Sequence, residues 1–175
     1  MERIERRASA GITASGRTLT GYVATFDRVA TIGGFTETIK PGAFRASLAS
    51  GHDILALLDH RPDVLLGRTK SGTLELREDD KGLAFTLSLP DTQAGRDVVA
   101  LAERGDIGGC SFGFKVAHGG DHWSGDHREL RSVELAEVSV VQSWPAYEGT
   151  EIALRHRANA GLRADPRFRW LELYP

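Results

Sequence analysis

Nucleophilic acyl transfer needs an activated hydroxyl or thiol, a base beside it and a group that fixes the base. The chain offers a hydroxyl in an unusual setting at Ser111, within Gly105-Asp106-Ile107-Gly108-Gly109-Cys110-Ser111-Phe112-Gly113-Phe114-Lys115-Val116. Glycines followed by alternating aromatic and small residues read as a tight turn entering a strand, a place to expose a nucleophile. Phe112, Phe114 and Val116 fall on the strand face opposite Ser111 and would anchor it. The plain alternative is an ordinary turn serine. For the base, His60 ends the apolar run Asp53-Ile54-Leu55-Ala56-Leu57-Leu58-Asp59-His60, where the alternative is a surface histidine capping a strand. For the third group, Glu137 sits inside Leu135-Ala136-Glu137-Val138-Ser139-Val140-Val141, where a carboxylate is costly to bury unless a charged or hydrogen-bonding group meets it. A protonated His60 would satisfy it; so would Arg131 or water. Asp59 adjoins His60, but consecutive strand residues point to opposite faces, and Asp53 stands in reserve.

Three further features around these residues have a chemical and a structural reading. Backbone N–H groups at Gly108, Gly109 or Gly113 are candidates for an oxyanion hole, and the sequence assigns none of them. Cys110 suggests a thiol nucleophile, but the side chain next to Ser111 points away from it and reads as a small buried filler. His118, His122 and His127, with Asp121 and Asp126, have metal-ligand types. Gly119-Gly120 and Gly125 rule out the helix that would present them together, so a solvated hairpin loop is expected.

These side chains must be carried by one domain. At 175 residues the chain is long enough for a single sizeable core, and 41% apolar with 26% charged residues is ordinary for a globular protein. A formal net charge of −2 gives no overall attraction to nucleic acid or anionic membrane. Cys110 is the only cysteine, so no internal disulfide forms, and no apolar segment suits export or a membrane span. The expectation is a soluble protein in a reducing, cytosolic setting.

Strands are expected over Ile4–Ala10 and Thr18–Phe26, joined by a turn around Ala14–Arg17, with Gly21 as a bulge. Another follows over Gly33–Lys40, then a short helix over Ala43–Ala49 ended by Gly51. Strands over Asp53–His60 and Val64–Thr69 precede a hairpin of Thr73–Glu78 and Leu83–Leu89 across Asp79-Asp80-Lys81-Gly82. Thr92 to Arg104 reads as a helix capped by Thr92 and stopped by Gly105. It delivers the chain to the strand of Ser111, which runs to about Ala117 before the polar loop. Glu129–Gln142 reads as one long strand with Leu135, Glu137 and Ser139 on one face and Ala136, Val138 and Val140 on the other. Trp144-Pro145-Ala146-Tyr147 breaks it. Many short strands with one or two helices imply a mainly β (α+β) domain, a β-barrel or strongly curved sheet with a few helices outside.

Five segments in one order carry a resemblance: Gly21–Phe26, Glu37-Thr38-Ile39-Lys40-Pro41-Gly42-Ala43-Phe44, Leu58-Asp59-His60, Ser111-Phe112-Gly113-Phe114, and Leu135–Val141 with Pro145-Ala146. Together, across roughly Gly21 to Glu151, they resemble the prohead proteases of tailed bacteriophages. That family is in turn similar to the herpesvirus assemblins, β-barrel serine proteases with surrounding helices. The resemblance implies a capsid-maturation serine endopeptidase that removes the scaffold segment of the major capsid protein inside the assembling prohead, often digesting itself. It places Ser111 as nucleophile and His60 as base; for the third member the assemblins use a second histidine, where this chain offers Glu137. Residues 1–157 would form the protease domain and 158–175 an Arg-rich tail, with Arg163, Arg167 and Arg169 following Arg155 and Arg157. No metal or organic cofactor is required. The implied partners are the major capsid protein with its scaffold segment and further copies of the chain, with neither nucleic acid nor membrane, in the host cytoplasm. The competing readings are a catalytically silent assembly module and a small-molecule esterase.

Overall fold

The computed structural model describes residues 4–9 and 11–142. Strands β1 (Glu5–Ser9), β2 (Ile12–Ser15), β3 (Thr18–Thr25), β4 (Ala30–Ile32) and β5 (Phe35–Ile39) precede helix α1 (Arg45–Ala49). Next come β6 (Leu55–Leu58), β7 (Arg61–Arg68), β8 (Leu74–Glu78) and β9 (Gly82–Ser88), which lead to helix α2 (Gln93–Arg104). The rest is β10 (Gly109–Val116), β11 (Asp121–Ser124), β12 (His127–Leu130) and β13 (Val133–Val141). The mostly β composition matches the expectation. The break at Trp144–Tyr147 and the Arg-rich tail lie outside the described residues.

Where local chemistry is strong, elements form as read. Thr92 Oγ1 accepts the Gly95 N–H at 3.2 Å, capping α2. At the other end Gly105 takes φ 78°, and its N–H and that of Asp106 return to Ala102 and Leu101. In the β8–β9 hairpin Asp79 Oδ1 accepts the N–H groups of Lys81 and Gly82 at 2.9 and 3.1 Å, fixing the turn.

Of the two architectures expected, a barrel or a curved sheet, the closed barrel does not form. Among the described residues the strands lie in three open sheets, ordered β1-β10-β13-β6-β7, β11-β12-β5-β4 and β2-β3-β9-β8. A barrel closes only when the outermost strands of one sheet pair, and here β1 and β7 do not. Consecutive strands pair as hairpins in several places, but β1 and β2 go to different sheets. β1 pairs with β10, while the turn at Gly16-Arg17 joins β3 to β2, a strand the sequence reading left unassigned. The ladder irregularity in β3 falls between Tyr22 and Ala24; Gly21 is needed because a Cβ there would lie 2.6 Å from the Gly11 carbonyl. The polar segment before His127 forms the β11–β12 hairpin. The long strand expected over Glu129–Gln142 is cut at Arg131-Ser132, whose N–H groups both donate to the Gly120 carbonyl. β12 then joins β5 and β13 joins β6, both in parallel.

The core fills the space between two sheets. Leu19 and Val23 of β3, Leu74 of β8 and Phe85 and Leu87 of β9 belong to one buried cluster with Phe112 and Phe114 of β10 and Val138 and Val140 of β13. Phe44, just before α1, meets Phe112 edge-on at 5.6 Å, and Phe112 stacks on Phe114 at 5.2 Å. Full burial of each such ring contributes about 1.5–3 kcal/mol, so this face of β10 is held firmly.

Candidate active site

β13 owes its division of labour to one extra residue. In its ladder with β10, Glu137 pairs with Gly113 and Leu135 with Phe114, so Ala136 is bulged out. The bulge corrects the face assignment: Leu135 joins Val138 and Val140 in the core, while Glu137 and Ser139 point to the other face. Glu137 is 8% exposed, a setting in which a lone carboxylate is unstable by several kcal/mol. It is met on both oxygens. His60 Nδ1 lies 2.6 Å from Oε1, and Ser139 Oγ donates to Oε2 at 2.6 Å. Arg6 Nε stands 3.7 Å from Oε1. Gly113 is glycine for a steric reason, since a Cβ there would sit 2.6 Å from the same Oε1.

His60 reaches Glu137 from a turn and not from a strand end. β6 stops at Leu58, and Asp59 and His60 have φ of 50° and 60°, the left-handed pair of a two-residue hairpin turn into β7. Left-handed conformations in non-glycine residues are held only where the surroundings over-determine them. Here the Asp59 N–H donates to Val140, and Asp59 Oδ1 accepts the Gln142 N–H, each at 2.9 Å. Asp59 therefore pins the turn, and the imidazole folds toward Glu137. A carboxylate only accepts, so Nδ1 carries the proton. Nε2 is buried with no hydrogen-bond partner among the described residues. An imidazole in that tautomer presents Nε2 as a base.

Ser111 is the third residue of β10 and wholly buried, which corrects the exposed turn expected for it. Phe112 and Phe114 do anchor the opposite face. Ser111 stands directly across from Ser139 on β13 and Ala8 on β1, on the same face as Gly113 and Glu137. Its Oγ donates to the Arg7 carbonyl at 2.8 Å, and no hydrogen bond joins it to His60 among the described residues. The fold thus joins His60 and Glu137 directly and puts Ser111 on the neighbouring strand, same face, with its proton turned toward β1.

The alternatives are occupied elsewhere. Asp53 is gripped by Arg68 and the Lys70 N–H, and the Arg68 hydrogen bond holds its carboxyl below the usual range. Arg131 pairs with Glu129 and not with Glu137. The Gly108 N–H donates to Val141 at 2.9 Å, and Gly113 lies mid-ladder. Cys110 points into the core, where burial pushes its thiol up to about 12. His127 bridges Thr36 and Thr38 at 2.8 and 2.6 Å.

Two contributors escaped the sequence reading. Ser139 shares the face of Glu137 in the alternation, and two residues apart on one strand is where a second hydrogen bond to a carboxylate arises. Arg7 carried no local signal at all, because its link to Ser111 spans 104 positions.

Comparison with known proteins adds the lineage. No curated protein and no solved structure matches the chain. The family model described as caudovirus prohead serine protease matches residues 2–163, a stretch that includes Ser111, His60 and Glu137. With nearly its whole length so matched, the chain belongs to the prohead serine protease family of tailed phages.

Proposed function

We propose that this chain is a serine endopeptidase of capsid maturation that cleaves the scaffold segment of the major capsid protein inside the assembling prohead, and cleaves itself as well. Ser111 Oγ attacks the scissile carbonyl. His60 Nε2 takes the hydroxyl proton and later gives it to the departing amine; water then releases the acyl group by the same route in reverse. Glu137 holds the Nδ1 proton and stabilises the imidazolium, a role in which Ser139 steadies its second oxygen. In this reading residues 1–157 are the catalytic domain and 158–175 an extension. The likeness to the assemblins covers the serine–histidine chemistry and not a closed barrel.

The observation that carries the reading is the 2.6 Å contact of His60 with a buried carboxylate, which leaves Nε2 unpartnered among the described residues. A pair shaped only by stability would satisfy both ring nitrogens, since an unpaired buried one is destabilising by about 1–3 kcal/mol. One observation favours the silent assembly module instead: the Ser111 proton is spent on Arg7. Co-expression with the capsid protein decides between them. Ser111→Ala should abolish cleavage and leave uncleaved shells; processing that continues unchanged would remove the peptidase assignment.

A further inference from the structure

β1 differs from the other strands of its sheet. It lies at the edge, paired only to β10, in the register Glu5 to Phe114 through Ser9 to Cys110. Alone in that sheet it has no buried residue, and its sequence Glu-Arg-Arg-Ala-Ser brings one small apolar side chain. Polar contacts hold it. The Arg7 guanidinium grips Glu37 at 2.7 and 2.8 Å and lies over the Phe114 ring. Glu5 is bound by Arg128 at 2.8 and 3.0 Å, and Ser9 Oγ donates to the Tyr22 carbonyl at 2.6 Å. Without β1, Glu37 would keep one partner: Arg128 Nη1 lies 3.2 Å from Oε2, the oxygen it shares with Arg7 Nη2, and Asp121 supports Arg128 at 2.9 Å.

One backbone group of this strand meets the candidate nucleophile. The Arg7 carbonyl accepts the Ser111 proton at 2.8 Å, so the oxygen that β1 presents occupies the neighbourhood a scissile carbonyl needs, and the proton is turned away from Nε2. A vacated β10 edge offers unpaired N–H and C=O groups, the template on which extended peptides add as a strand.

We infer that β1 is a built-in stand-in for substrate. It fills the β10 edge that an extended peptide takes in turnover, and it must leave before Ser111 can pass its proton to His60. The residue whose carbonyl meets Ser111 sends its side chain to Glu37, so the incoming peptide carries arginine or lysine there. The inference rests on the peptidase reading above.

The test follows Ser111 with a fluorophosphonate probe in the 175-residue chain. Arg7→Ala removes the grip on β1 yet leaves Glu37 in place, and should speed Ser111 labelling at least about tenfold over the unaltered protein. The capped peptide Ile-Glu-Arg-Arg-Ala-Ser, added to that variant, should slow labelling again, and the same peptide with alanine for its second arginine should not. Equal, measurable labelling with and without the substitution would overturn the inference and leave the peptidase reading standing. No Ser111 labelling in either protein, with no capsid protein cleavage, would overturn both. Should Arg7→Ala fail to fold, hydrogen exchange on the unaltered chain decides: β1 amides should exchange about a hundredfold faster than those of β13, and equal protection would refute a detachable strand.

Discussion

The two faces of the β1-β10-β13-β6-β7 sheet are built from alternate residues of the same strands and do opposite work. One presents Phe112, Phe114, Leu135, Val138 and Val140 to the core. The other gathers Ser111, Gly113, Glu137 and Ser139 with the His60 ring above them. The difference teaches how a small domain holds polar groups both buried and positioned: the apolar face supplies rigidity, while on the polar face Glu137 is met by His60 and Ser139, Ser111 by the Arg7 carbonyl, and His60 Nε2 is left without a partner among the described residues. The Ala136 bulge keeps the two apart, because without it Leu135 and Glu137 would share a face.

The sharpest way to separate the faces is to substitute one residue on each. Glu137→Gln keeps the shape but loses the charge that holds Nδ1–H, and should lower kcat by about 10²–10⁴ with little change in Tm. Phe112→Ala should do the reverse, lowering stability by about 3–5 kcal/mol in denaturant titration, and its residual folded fraction should keep its activity. A substitution that couples the faces comes next. Gly113→Ala drives a methyl against Glu137 Oε1 and should destabilise by about 1–3 kcal/mol while also lowering kcat, with rescue by no change on the Phe112 side. The smallest effect concerns the edge. Burial raises the Glu5 carboxyl, but the hydrogen bonds and charges of Arg128 and Arg7 outweigh it and hold the pKa below its ordinary 4.5. A depressed acid stabilises above its unfolded pKa and loses that contribution as the pH falls through its folded one. What protection β1 amides have should therefore be greatest near pH 7 and decline below about 4.5, with Arg7, Arg128, Glu37 and Asp121 the charged groups facing Glu5. Amides of β13 should not follow.

Within the site, residue types alone say that Glu137, amid valines, needs a partner, and they leave His60, Arg131 and water open; His60 as the base follows from the resemblance carried by Leu58-Asp59-His60. Cys110 was likewise readable, because strand alternation sends it away from Ser111. The setting of Ser111 is not legible locally. Its flanking glycines suggested an exposed turn, but β1, from more than a hundred positions away, adds a strand and buries it. The apolar run to Leu58 points to a strand end at His60, and nothing local announces that Asp59 and His60 both turn left-handed.

The amino-acid order was sufficient for whatever closes within a few residues: the caps of α2 at Thr92 and Gly105, the Asp79 turn, and the alternation that gives β10 an apolar side. Their energies come from neighbours in the chain, so the pattern and the structure coincide. Three open sheets instead of a barrel, the bulge at Ala136, and the seating of β1 on the strand of Ser111 depend on pairings between distant segments. A backbone ladder forms between any two strands of suitable length, so the partner is chosen by what each side chain then meets, and only the folded molecule fixes that.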